Sequence, residues 1–193
     1  MRSLIVSSIM SLDGLFTGPD DNIMVMPMDP AFNEHNLARL RAADTLLLGR
    51  STYEGFREYW PSIVDNLGAD PTNQAIARRN DVIEKVVVSD SLRAGPSQPW
   101  ADTTRIVPRA RAHEEIAALK AGEGGDILMF GSQVLWLDLL AHGLVDELHV
   151  ILGASVIGGG RPMFGDFPVR LARLGVDVPS GSENVIVRYR VVS

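Results

Sequence analysis

Apolar residues in this chain fall into short runs, separated by stretches of helical spacing and by clusters of Gly, Pro, Asp and Ser. Residues 3–10, with Leu4, Ile5, Val6, Ile9 and Met10, suit a buried first strand that Ser11-Leu12-Asp13-Gly14 turns away. Residues 16–27 read as a loop with Gly18-Pro19-Asp20-Asp21-Asn22 at its tip. Asp29-Pro30 starts a helix, the acid as N-cap and the proline at the first helical position. Phe32, Leu37 and Leu40 carry it at helical spacing to about Ala42. Leu46-Leu47-Leu48 is a short buried strand that leaves through Gly49-Arg50 into a helix ending near Trp60-Pro61. After a loop over 65–70 come a polar helix over 71–84 and a β-branched strand over 85–89. A loop over 92–102, containing Gly95-Pro96 and Pro99, leads to a short strand over 104–107. An amphipathic helix over 111–121 closes at Gly122, and an apolar strand spans 126–130. Gly131-Ser132-Gln133 opens the next helix, which Gly143 ends. Beyond it lie only strands, over 145–153, 171–178 and 184–192, the last alternating Val185, Val187, Tyr189 and Val191. Strand–helix alternation up to residue 143 predicts a mainly parallel sheet covered on both faces, and the tail predicts antiparallel edge strands. The expected fold is a single α/β domain over residues 1–193 with a central mixed sheet flanked by helices.

Two of the strand-to-helix junctions share one chemistry. After Leu46-Leu47-Leu48-Gly49-Arg50, Ser51 is followed three residues later by Glu54, the signature of a capping box. A glycine there lets a ligand approach bare backbone amides, and the positive end of the helix favours an anion such as phosphate. Arg50 adds a fixed charge suited to phosphate oxygens. Asp126-Ile127-Leu128-Met129-Phe130-Gly131-Ser132 repeats the device: an apolar strand exits through a glycine into a helix led by a hydroxyl. On adjacent strands, two such starts would hold a pyrophosphate from both sides. The strand before Ser89-Asp90-Ser91 ends in hydroxyls, a suitable place for a nucleotide's ribose outside the strand carboxyl ends. No Gly-x-Gly-x-x-Gly follows the first strand, so the common dinucleotide fingerprint is missing.

Composition narrows the field further. The net charge of −6 argues against a general binder of nucleic acid or of anionic membranes. The absence of cysteine removes disulfides, thiolate metal sites and a cysteine nucleophile, and fits a cytoplasmic protein. Met1 to Met10 lacks the long apolar core of a secretory signal, and no apolar run reaches membrane-spanning length. His35, His113, His142 and His149 show no His-x-x-x-His spacing, so no metal site is expected, and His149 reads as a core or interface residue. Asp146 and Glu147, adjacent in a strand, should point to opposite faces. Trp60, Trp100 and Trp136 read as packing residues. Gly158-Gly159-Gly160 reads either as a flexible bend or as a loop closing over a substrate. There is no Gly-x-Ser-x-Gly elbow. Two acids are candidates for substrate chemistry. Asp13 is either a turn aspartate or a substrate-site residue, and Glu34 either a solvated helix residue or an acid of the site.

Taken together the motifs resemble a family. Leu48-Gly49-Arg50-Ser51-Thr52-Tyr53-Glu54 resembles the Gly-Arg-x-Thr-aromatic-Glu motif of dihydrofolate reductases. Ser11-Leu12-Asp13-Gly14, Gly131-Ser132, and Gly143-Leu144-Val145-Asp146-Glu147-Leu148 with Gly158 to Phe164 resemble, in order, the signatures of the riboflavin-biosynthesis pyrimidine reductases within that superfold. The resemblance implies a dihydrofolate reductase-like fold and an NADPH-dependent reductase of a small pyrimidine or pterin, resembling 5-amino-6-(5-phosphoribosylamino)uracil reductase. It implies Gly49, Arg50, Ser51 and Thr52 on the phosphates, Ser89 and Asp90 near the adenosine ribose, Gly131 and Ser132 on the pyrophosphate, and a homodimer. Two departures stand out. Asp90's carboxylate would repel a 2′-phosphate, which keeps NADH open unless Arg93 offsets it. The acid of true dihydrofolate reductases falls at Asn33, beside Glu34, and an amide cannot deliver a proton as a carboxylic acid does. A dihydrofolate or pterin reductase and a non-catalytic nucleotide-binding domain are the alternatives.

Overall fold

The structure, a computed structural model, describes residues 1–93, 95 and 97–192; Ala94 and Pro96 of the expected 92–102 loop lie outside the described residues, as does Ser193. In chain order the main elements are β1 (Leu4–Ser11), β2 (Leu15–Thr17), α1 (Pro30–Ala42), β3 (Ala43–Gly49), α2 (Arg50–Tyr59), α3 (Pro71–Val82), β4 (Glu84–Val88), β5 (Thr104–Val107), α4 (Ala112–Ala121), β6 (Asp126–Phe130), α5 (Gln133–Ala141), β7 (Glu147–Gly153), β8 (Arg161–Pro162), β9 (Arg170–Asp177) and β10 (Val185–Val192). Eight strands form one sheet in the order β5-β4-β3-β6-β1-β7-β10-β9, and β2 pairs separately with β8. Pairing is parallel from β5 to β7 and antiparallel where β10 meets β7 and β9.

The apolar runs are continuous because the sheet is buried on both faces. Val6, Leu47, Val86, Ile127 and Met129 point to the side covered by Ile116 of α4 and by Trp136 and Leu139 of α5. Their sequence neighbours Ile5, Leu46, Leu48, Val87 and Leu128 point to the other, covered by Leu37 and Leu40 of α1, Tyr53 of α2 and Ile76 of α3. Leu46, Leu47 and Leu48 have no exposed surface, and each such side chain contributes about 1.5–3 kcal/mol by burial. A charge at Leu47, between β4 and β6, would have no partner and would break the layer.

Several expectations shift. The third helix stops at Val82 because Ile83 is extended and Glu84 already begins β4. The strand over 145–153 begins at Glu147 and still runs parallel to β1, so antiparallel pairing starts with β10. The loop over 16–27 is not featureless: β2 reaches into it, and two short 3-10 turns follow. Among the described residues no helix is long and apolar enough to cross a membrane.

Candidate functional site

Strand register brings the two glycine-led junctions together. β3 lies between β4 and β6, with Gly49 opposite Val88 and Leu46 opposite Leu128. The exits of β3, β4 and β6 therefore share one edge of the sheet. There the junctions are stitched to each other: the Gly49 amide donates to Ser132 Oγ at 2.9 Å, and the Ser132 amide donates to Thr52 Oγ1 at 3.0 Å.

Two of the other helix starts are built differently, while α4, like α2 and α5, has no side-chain cap. Asp29 caps α1 by accepting the Phe32 amide, and Asp70 caps α3 by accepting the Thr72 and Asn73 amides. Neither α2 nor α5 has a side-chain cap. The capping box expected at Ser51 and Glu54 is not formed. Gly49, extended at φ −83°, takes the cap position, which places Ser51 inside the helix. Glu54 turns instead to Arg50, whose Nε lies 3.1 and 3.0 Å from its two oxygens. Arg50 Nη1 also donates to Ser91 Oγ at 2.8 Å, which ties α2 to the turn after β4. The first-turn amides of α2 and α5 thus keep no side-chain acceptor, and their positive ends converge.

The turn at Gly131-Ser132 is strained. Gly131 has φ +52° and Ser132 φ +50°. A Cβ at Gly131 would sit 3.1 Å from Thr52 Oγ1, so a side chain there would press into the Thr52–Ser132 contact. A serine held in the left-handed region costs about 1–2 kcal/mol, and such strain gathers at functional turns.

The turn after β4 departs from expectation in detail. The strand ends at Val88, and the Ser89 hydroxyl is buried beneath the turn, accepting the Ser91 and Leu92 amides at 3.2 and 3.0 Å. Ser89 shapes this turn, while Asp90 and Ser91 are exposed on it. Asp90 accepts the Arg109 amide at 2.9 Å and lies 3.9 Å from that guanidinium. Arg93 bonds the Asp90 and Leu92 carbonyls.

Asp13 belongs to a second device. Its carboxylate accepts the Gly158 amide at 2.8 Å and the Ile157 amide at 3.2 Å. The Ser11 hydroxyl and then these amides lower its carboxyl to about 2. Leu12 and Ser155, then Gly14 and Met163, add backbone bonds between the same segments. Gly160, at φ +141°, packs so closely that a Cβ would collide with the Thr17 carbonyl. The glycine run is thus a docked strap. Gln133, expected from the sequence only to open α5, anchors it through Nε2 to the Pro162 and Met163 carbonyls, the latter at 2.8 Å. Its place directly after Gly131-Ser132 is the one sequence signal that could have found it.

Glu34 makes none of the hydrogen bonds that build the cradle or the strap. It is exposed and lines an open groove of about 370 Å³ between α1 and α3, which none of the expected cofactor residues lines. The histidines, scattered in sequence, meet in pairs. His149 Nδ1 lies 3.3 Å from His35 Nε2 beneath α1, and burial holds both rings below their ordinary values, His35 at about 4. His113 and His142 meet at the surface around Asp138.

Residues 2–178 match the RibD C-terminal domain. The chain belongs to the RibD C-terminal domain family. A Bacillus subtilis (strain 168) relative, the uncharacterized protein YyaP, is 27% identical over 186 residues, 96% of this chain and 92% of its own length. Among solved structures, the Thermotoga maritima diaminohydroxyphosphoribosylaminopyrimidine deaminase/5-amino-6-(5-phosphoribosylamino)uracil reductase is similar at TM-score 0.68 and 13% identity, over 99% of this chain and 57% of that one. Enterococcus faecalis dihydrofolate reductase, complexed with NADP(H), is similar at TM-score 0.59 and 16% identity, over 99% of this chain and 97% of that one. The fold is that of the dihydrofolate reductases, and the RibD family makes this chain a reductase domain.

Proposed function

We propose that this chain is an NADPH-dependent reductase of a ribosylated aminopyrimidine, of the class of 5-amino-6-(5-phosphoribosylamino)uracil. The observation that carries the proposal is the pair of uncapped helix starts, α2 and α5, stitched together on adjacent strands. A pyrophosphate is the group whose size and charge suit two converging helix N-termini. Gly49, Arg50, Ser51 and Thr52 would hold it from α2, and Gly131 and Ser132 from α5. Asp90 and Ser91 would flank the adenosine ribose, with Ser89 beneath them. When bound, the cofactor supplies the hydride.

The chain's own part is positioning. Asp13, a carboxylate at neutral pH with both oxygens on backbone amides, has no proton to give. In this reading it fixes the strap over 154–163 beside the end of β1, and so shapes the substrate side. Glu34, in its outer groove, takes no part, and the proton that accompanies the hydride comes from solvent. The long edge strand β9, with Leu171, Leu174 and Val176 exposed, would be covered by a second copy in a homodimer.

The test is cofactor oxidation with 5-amino-6-(5-phosphoribosylamino)uracil and, separately, with dihydrofolate. Turnover of the pyrimidine alone supports the proposal. Turnover of dihydrofolate alone gives the pterin reading, and tight NADPH binding without turnover of either gives a binding domain.

A further inference from the structure

Two histidines remote in sequence meet where α4 and α5 pack together. His113 lies in the first turn of α4, and His142 follows the last residue of α5, one turn beyond Asp138. His113 Nε2 lies 2.7 Å from Asp138 Oδ2, and His142 Nδ1 lies 3.4 Å from Asp138 Oδ1. The ring centroids are 4.0 Å apart, with planes inclined at 35°. One ligand atom from each residue lies within 4.8 Å of the other two. We infer that His113, Asp138 and His142 form a site for one divalent transition metal ion of the zinc class, clamping α4 to α5.

The donor set selects the ion. Two imidazoles and one carboxylate suit zinc and its borderline neighbours, whereas magnesium and calcium take oxygen ligands. Bonds of about 2.0–2.1 Å around a tetrahedral ion put donors roughly 3.4 Å apart. The donor atoms here lie within 4.8 Å of one another, and the three side chains, about half exposed at 45, 46 and 53%, have room to adjust to that spacing. The third ring-nitrogen contact, His142 Nδ1 to the Asp138 carbonyl at 2.8 Å, is released when that nitrogen turns to the ion. Any proton on His113 Nε2 or His142 Nδ1 moves to the other ring nitrogen or to solvent, so binding weakens in acid.

The surrounding charge is mixed, since the amide end of α4 at His113 opposes a cation and the carbonyl end of α5 favours one. The carbonyl end of α5 lies at His142, whose amide bonds the Asp138 and Leu140 carbonyls. Arg111, at the foot of α4, is drawn off by Glu114 and Glu115, and Arg109 by Asp90. Three protein ligands leave a position open to solvent. The site is at the opposite end of α5 from Ser132, roughly 13 Å along a helix of this length. Its loss should therefore leave cofactor binding intact, and the inference does not rest on the proposed reductase activity.

The test is titration of the metal-stripped, full-length protein with Co²⁺ and then Zn²⁺. The expected result is one equivalent of Co²⁺ with visible d–d absorption, displaced by Zn²⁺, and a Tm that rises with Zn²⁺. His113→Gln and His142→Gln should each weaken Zn²⁺ by about tenfold or more, with far-UV circular dichroism and the Tm in chelator unchanged. Zinc X-ray absorption on the wild type, which needs no variant, should show scattering from two imidazoles. No saturable binding, binding unaltered in both His113→Gln and His142→Gln, or a zinc spectrum without imidazole scattering would each overturn the inference.

Discussion

Arg50 is both the strongest cation at the cradle and the one already engaged. Glu54 holds its Nε and Ser91 its Nη1, leaving Nη2 without a partner among the described residues. The two bonds aim the guanidinium, and a phosphate would complete the fork. Because the side chain is about half exposed, at 49%, water screens the contact, and the effect belongs at the low end for charge-assisted bonds. Arg50→Ala should weaken NADPH by about 1.5 kcal/mol, roughly tenfold, in isothermal titration. Unchanged affinity in a folded variant would remove Arg50 from the site. Cofactor choice turns on Asp90. The Arg109 amide and guanidinium both face its carboxylate, so its charge is partly offset before any ligand arrives. Arg93 stands beside it, bonded to the Asp90 carbonyl. We expect the wild type to prefer NADPH over NADH. Asp90→Ser, which removes the repulsion and frees Arg109, should widen that preference. Paired titrations decide: a wild type that prefers NADH contradicts the choice, and a substitution that changes neither affinity moves the ribose elsewhere.

At the scale of elements, what lay open in the sequence was whatever short-range pattern controls. Leu46-Leu47-Leu48 and Asp126 to Phe130 became strands, and Asp29-Pro30 and Pro71 opened helices, because burial period, cap and proline act within a few residues. Ser51 and Glu54 show the limit. Their spacing satisfies the capping-box signature, yet an extended Gly49 takes the cap, and Arg50 draws Glu54 away one turn along. Nothing local reports Asp13's acceptance of amides at Ile157 and Gly158, which lie 144 and 145 residues on. The pairing of His149 with His35, 114 residues away, is equally silent until α1 docks on β7. That buried pair sets an acid limit. Burial and the guanidinium groups of Arg39 and Arg188 oppose protonation of both rings, His149 opposes it further at His35, and Glu147 favours it at His149 as Asp177 does at His35. With His35 lowered from 6.5 to about 4, the unfolded chain takes up protons first as pH falls. Stability should be full above about pH 6.5, decline between there and about pH 4, and then level for this group. Urea melts across that range should show the fall, and His35→Gln should flatten it. A wild-type profile flat from pH 7 to about 4 would contradict the burial of neutral rings.

For the whole molecule, the sheet is asymmetric. Helices cover it from β5 to β7, while β9 lies bare at the far edge. An eight-residue edge strand with exposed Leu171, Leu174 and Val176 invites pairing, and a symmetric partner is the commonest cover. Light scattering at micromolar concentration should give twice the 21.0 kDa chain mass. A mass of one chain would reject the homodimer. The cradle, the strap held by Asp13 and Gln133, and the turn carrying Asp90 lie at the strand exits of the parallel part of the sheet, where we propose that cofactor and substrate bind. The most direct measurement is the loss of reduced-nicotinamide absorbance when the purified chain is mixed with NADPH and 5-amino-6-(5-phosphoribosylamino)uracil. The account predicts one NADPH oxidised per pyrimidine reduced, with no oxidation when the pyrimidine is left out. A chain that binds NADPH yet leaves its absorbance unchanged in the presence of the pyrimidine would contradict it.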